Sequence, residues 1–441
     1  MSTESGILNP AKRPSGARKP LLVIAIMALA ALSGCVGDGG PRPTTPTYTG
    51  NQRPDPSRPP RPDAPQPGTT IADPFAGSGP YRPRHMADVR SRDIQRVAVL
   101  LPFSSTNQQV SQLADSLFNS MQMSLFEIGA ENVVLMPMDA SGSAEEVAAL
   151  AAQAIDKGAV AVVGPVFGQQ IPAVAREAQA SGAPIFSFST DTTATGQGAY
   201  LMSLTPNAEV DRIVEWAVQQ GVTRFAMLGP NSAYGHAVDR ALRDSTGRHG
   251  GLVIASEFYA PGTTTPTETA QRLAGVVKTE DRAYPGQVAV LIPERGVQLR
   301  SVASLLPYFD VDLRQVQFLG TGAWNDPEVW REPSLRGGVF AAPDPAALED
   351  FRMRYEATFG ETPPAISSFG HDAGALVATL AVNDRLDRAT VETRDGWLGV
   401  NGLFRFLADG SAERELAVME VQNDGTVRTV APAAQSFAPG S

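Results

Sequence analysis

The chain has 441 residues, 42% of them hydrophobic and 19% charged, with one cysteine and a formal net charge of −10. That length exceeds one ordinary core and points to more than one lobe. The acidic balance argues against nucleic acid or an anionic membrane surface as partners, and a single cysteine excludes an intramolecular disulfide.

The chain begins with a basic segment carrying Lys12, Arg13, Arg18 and Lys19, followed by twelve uncharged residues, Leu21 to Leu32, of aliphatic, Ala and Met type. This is the pattern of a signal peptide. Twelve residues are too few to cross a hydrocarbon core, which takes about twenty. The apolar run ends in Leu32-Ser33-Gly34-Cys35, and Cys35 is the chain's one cysteine. The four positions resemble a lipobox, which implies diacylglyceryl modification of Cys35 and a lipoprotein held on a membrane by its acyl chains. Val36 stands where inner-membrane retention favours Asp, and the resemblance to sorted lipoproteins implies the outer membrane over the inner, with the protein facing the periplasm.

Residues 36–93 form a second region, in which Pro41 to Pro83 holds 13 of the 36 prolines and few aliphatics. Too little apolar surface is available there to offset ordering entropy, which predicts a disordered proline-rich linker. It would span about 40 Å as a random coil and up to about 180 Å as polyproline II.

From Arg96 onward short aliphatic runs alternate with amphipathic stretches. Val97 to Leu101 reads as a strand, and Val110, Leu113, Leu117, Met121, Leu125 and Ile128 fall at helical spacing after it. A strand at Val133 to Met138 leads to a capping box, Ser143 with Glu146, and a helix carrying Val147, Ala151 and Ala154. Strands at Ala159 to Val163 and Pro184 to Phe188 flank a helix that begins near Pro172. A second series follows Thr205-Pro206, with strands at Arg224 to Leu228, Leu252 to Tyr259, Gln287 to Ile292 and Val316 to Leu319, and a helix before or between each. Continuous aliphatic strands fit a parallel sheet covered on both faces. Two such series predict an α/β protein of two doubly wound, Rossmann-like lobes. Near the end, Gly402 to Leu407 and Leu416 to Val421 lack a crossover helix and are expected to pair antiparallel across Asp409-Gly410.

Removing the twelve basic and seven acidic residues before position 94 leaves 24 basic against 39 acidic, a net charge near −15 for the folded part. Nucleophile elbow, Walker A loop, GxGxxG and HExxH are absent from the sequence, and His85, His236, His249 and His371 are scattered. No catalytic residue, metal ligand or cofactor is expected, and the chain reads as a non-enzyme.

The span 159–193, AVAVVGPVFGQQIPAVAREAQASGAPIFSFSTDTT, resembles the segment of type I periplasmic binding proteins in which a strand ends in Gly-Pro and the next ends in a Ser/Thr loop. Asn231-Ser232-Ala233-Tyr234-Gly235 resembles that family's Tyr-Gly turn. Phe351 to Tyr355 with Phe359-Gly360, and Phe369 to Ala373, resemble its late helices. The resemblance, to the leucine/isoleucine/valine-binding type, covers about residues 94–430. It implies three lobe crossings, with a first lobe of 94–207 and 317–388, a second of 208–316 and 389–432, and a flexible tail at 433–441. It also implies a ligand cleft between the lobes, with Ser104, Ser105, Gly168, Gln169, Ser189, Thr190 and Asp191 on one side and Tyr234 and Glu294 on the other.

The Gly-Pro loop reads Val166-Phe167-Gly168 where amino-acid receptors of the family carry a serine, and Asp191 sits where a threonine hydroxyl would be wanted. A ligand carboxylate about 4 Å from Asp191 would be repelled by about 4 kcal/mol at an effective dielectric of about 20. An outer-membrane lipoprotein with this fold and no amino-acid anchor resembles the penicillin-binding protein activators. The resemblance implies a regulator of cell-wall synthesis whose partner is a class A penicillin-binding protein, a peptidoglycan synthase. The helical-repeat domain of the best-known activators is missing, and the linker stands in its place. The alternative is the substrate-binding lipoprotein of an ABC importer for amino acids, amides or a similar small solute, with a transporter permease as partner.

Overall fold

The structure is a computed structural model and describes residues 94–437. The signal peptide, Cys35 and the linker lie outside the described residues.

The first series runs β1 (Gln95–Leu101), α1 (Gln108–Ile128), β2 (Val133–Asp139), α2 (Ala144–Asp156), β3 (Ala159–Val163), α3 (Ile171–Gln179), β4 (Ile185–Ser187) and β5 (Ala199–Leu201). The five strands form an all-parallel sheet in the order β2-β1-β3-β4-β5. Alternate side chains of β1 feed two cores. Val97, Val99 and Leu101 pack on one face with α1, while Ala98 and Leu100 pack on the other with residues of α2 and α3. The expected capping box is present: Glu146 N–H donates to Ser143 Oγ at 3.3 Å, and Ser143 N–H donates to Glu146 Oε2 at 2.7 Å.

The chain then crosses to a second series: α4 (Pro206–Gln219), β6 (Arg224–Pro230), α5 (Ala233–His249), β7 (Leu252–Tyr259), α6 (Thr267–Ala283), β8 (Val288–Leu291), α7 (Gly296–Tyr308), β9 (Val316–Gly320), α8 (Pro327–Trp330) and β10 (Val339–Ala342). It returns to the first lobe with α9 (Pro345–Phe359), α10 (Ser367–Val382), α11 (Arg388–Val391), β11 (Trp397–Gly399), β12 (Gly402–Phe406) and β13 (Ala412–Arg414). A third crossing adds β14 (Ala417–Val421) and β15 (Val427–Ala431) to the second sheet, whose order is β15-β14-β10-β9-β8-β6-β7. The parallel part of that sheet, β7-β6-β8-β9-β10, repeats the strand order of the first.

Three expectations are corrected. The boundary at 317 falls instead after 342, because β9 pairs parallel with β8 and with β10 inside the second sheet. The segment from 389 to 414 belongs to the first lobe, not the second. There Trp397, Phe404, Phe406 and Ala412 share a core with β1 and α10. The expected hairpin is split: β12 pairs with β13 across the turn at Asp409-Gly410, while β14 leaves to pair antiparallel with β10. At the end of the chain, Phe437 in the expected flexible tail lies under the Arg405 guanidinium, 4.3 Å from its ring centre.

Candidate ligand cleft

Each parallel sheet reverses its winding at one point, between β1 and β3 in the first lobe and between β6 and β8 in the second. Loops leaving the carboxyl ends of such strands diverge and open a crevice. Those loops carry the candidate residues.

On the first lobe, Ser104 follows β1 and donates both its N–H, at 3.1 Å, and its hydroxyl to the Asp139 carboxylate at the end of β2. Ser141 donates to the same carboxylate at 2.6 Å. Burial works against the charge, but the hydrogen bonds from Ser104 and Ser141 hold Asp139 below the usual carboxylate range. Ser105 accepts from Asn107 N–H at 3.3 Å, and Asn107 caps α1. After β3 and β4 the structure brings Gly168, Ser189 and Asp191 together. A Cβ at Gly168 would lie 2.8 Å from Asp191 Cβ and 3.0 Å from Ser189 Oγ, so glycine is required by the close approach. Ser189 is buried and accepts Asp191 N–H at 3.0 Å. Asp191 in turn accepts from the N–H and hydroxyl of Thr193 at 3.0 and 2.6 Å. Thr190 and Gln169 are exposed. The buried neighbour Gln170, passed over in the sequence, ties this loop to Ala140 and Gly142 by donating to their carbonyls. The four loops after β1 to β4, with Asp139 at the end of β2, present Asp139 and Asp191 and contain no Lys, Arg or His.

On the second lobe, Ser232 caps α5 by accepting Gly235 N–H at 3.2 Å, which sets Tyr234 in the first turn. A Cβ at Gly235 would run into the carbonyl of Pro230, so the tight Tyr-Gly turn also depends on a glycine. The Tyr234 hydroxyl lies 3.1 Å from that of Thr321, beyond β9. Glu294, after β8, accepts the Tyr259 hydroxyl at 2.6 Å. Tyr234, Tyr259 and Glu294, together with Glu209, Arg295 and Gln298, line a cavity of about 550 Å³. Burial, reinforced by neighbouring carboxylates, pushes the Tyr234 and Tyr259 hydroxyls up.

Glu209, in the first turn of α4, lines this cavity and, like Tyr259, was missed by sequence reasoning. It accepts Gly322 N–H at 2.7 Å, and burial lifts its carboxyl to about 7 against that hydrogen bond. Gly322 has no side chain because a Cβ there would meet Glu209 Oε1 at 2.7 Å. Glu209 also lines a second, mainly apolar cavity of about 410 Å³ at the crossings, where Leu204, Trp330, Pro343 and Phe369 meet. The only hint in the sequence is an acidic residue three positions after Pro206.

Residues 95–426 match the model of a family described as periplasmic binding protein. The chain belongs to that family. None of the curated proteins matches it. Solved periplasmic binding proteins share its fold at low identity. A protein from Rhodospirillum rubrum assigned as a branched-chain amino acid ABC transporter is 17% identical with a TM-score of 0.64, over 76% of this chain and 100% of that one. A solute-binding protein of an ABC transporter from R. palustris, in complex with benzoate, is 16% identical with a TM-score of 0.54, over 79% and 98%. A branched-chain amino acid transporter substrate-binding protein from Streptococcus pneumoniae, in complex with isoleucine, is 17% identical with a TM-score of 0.53, over 78% and 100%. Among the described residues of this periplasmic binding protein, no helix is long and apolar enough to cross a membrane.

Proposed function

We propose that this protein is the solute-binding component of an ABC importer, working in the periplasm, tethered through Cys35 and closing its two lobes on a small molecule. The observation that carries the reading is the cavity at the second lobe's reversal point, where Tyr234, Tyr259, Glu209 and Glu294 converge. Concave sites with a few convergent polar groups at such points are where small molecules bind in α/β folds. Three crossings joining two separately packed lobes provide a hinge. The relatives named above, two of them in complex with small carboxylic or amino acids, support the same reading.

The test is thermal unfolding of the protein with a panel of amino acids, amides, amines and aromatic acids, followed by small-angle scattering with any hit. Ligand at about 100 times its dissociation constant adds about 2.7 kcal/mol, a shift of several degrees, and closure should shrink the radius of gyration. A panel with no shift would sink the importer reading. The activator reading rests on the outer-membrane expectation and the missing amino-acid anchor. It requires instead that the ligand-free protein co-purify with a class A peptidoglycan synthase and change its rate.

A further inference from the structure

The cavity assigned above to a solute has a consistent chemistry. Glu209 and Glu294 both line it, and Tyr234 and Tyr259 stand beside them. Glu209 is 6% exposed, and Gly322 N–H is its single hydrogen-bond donor among the described residues. Its other oxygen accepts no hydrogen bond among the described residues, Glu209 lines this cavity as well as the apolar one, and a buried charge is stable only when it is paired. Glu294 accepts the Tyr259 hydroxyl and forms no ion pair among the described residues. The one basic residue in the lining, Arg295, is exposed and is not within ion-pair distance of either glutamate. Asp139 and Asp191 of the other lobe are not among the residues that line the cavity.

We propose that the cavity binds a protonated amine, its ammonium held by Glu209 and Glu294 against the rings of Tyr234 and Tyr259. This rests on the reading of the cleft as a solute site. Carboxylates supply the counter-charge and acceptors, and the faces of two tyrosines attract a cation by their quadrupoles. A cavity of about 550 Å³ admits a molecule of modest size. The same charges disfavour a solute whose recognised group is a carboxylate.

The full chain in detergent micelles, titrated calorimetrically at pH 8 with n-pentylamine, pentan-1-ol, valerate and leucine, tests this directly. Pentylamine should bind at least tenfold more tightly than the other three, and Glu209→Gln and Glu294→Gln should each weaken it tenfold or more. If Glu209→Gln fails to fold, the half-buried Glu294→Gln carries the comparison. Valerate or leucine binding as tightly as pentylamine, or pentylamine binding unchanged in Glu294→Gln, overturns the amine assignment while leaving a solute-binding protein. Silence from pentylamine also overturns it, and the wider panel then decides the solute reading separately.

Discussion

Glu209 accepts the backbone N–H of Gly322 at 2.7 Å, joining the helix that begins after the first crossing to the loop beyond β9. The ionisable groups around it are Tyr234, Tyr259, Glu294 and Arg295 on the cleft side and Glu349 and Arg352 across the apolar cavity. Burial raises the Glu209 carboxyl from 4.5 to about 7. The folded protein thus holds this proton where the unfolded chain has lost it, and stability falls as pH rises from about 4.5 through about 7. The displacement corresponds to about 3 kcal/mol at most. Glu209→Gln should match the wild type in urea near pH 4.5 and exceed it by about 1–3 kcal/mol at pH 8. An identical difference at both pH values would refute this.

Helices α1 and α10 meet through glycines. A Cβ on Gly370 would lie 2.6 Å from the Leu117 carbonyl oxygen, and one on Gly374 would lie 2.8 Å from Met121 Cα. Because backbone cannot yield there, Gly370→Ala and Gly374→Ala should each destabilise the protein by about 1–3 kcal/mol. Gly275, exposed within α6 with open space around its Cβ position, is the control. Gly275→Ala should stabilise by up to about 1 kcal/mol. Equal effects at all three sites would contradict the packing argument.

Asp372 is buried in α10 and accepts from Val400 N–H at 2.6 Å, Asn401 N–H at 3.1 Å and Asn401 Nδ2 at 2.8 Å. It fixes the turn between β11 and β12. Asp372→Ala leaves these donors without their acceptor and should cost about 3 kcal/mol or more. A melting temperature within a degree of wild type would show that the turn is held by something else.

Cys35 lies outside the described residues, and its role is tested in cells. Cys35→Ala should release the protein from the membrane fraction or trap it as uncleaved precursor. Wild-type protein found free in the periplasm would end the lipoprotein reading. The band of a density gradient in which the anchored protein sits separates outer from inner membrane.

The candidate site was legible one lobe at a time. Ser189, Asp191, Tyr234 and Glu294 were reachable because each follows a strand whose aliphatic run marks its end, and ligands gather at such ends. Tyr259 closes a strand that was read correctly, yet nothing local says that its hydroxyl reaches Glu294, 35 residues away. Glu209 looked like an ordinary acidic residue in a helix's first turn. Its burial arises from the loop at Gly322, 113 residues later.

What the sequence by itself determined is the alternation of strands and helices from 95 to 320, except the three-residue strand Ala199–Leu201, which is too short to show a period, and the capping box at Ser143, since hydrophobic period and caps act within a few residues. Sheet membership was decided only in three dimensions. Val316–Gly320 is a buried aliphatic strand that would suit either lobe, and pairing with β8 and β10 assigns it to the second. Val339–Ala342 spans four residues, too short for any period to show, yet it joins β9 to β14. Strand pairing is a contact between distant segments, and neither partner carries the other's address in its own residues.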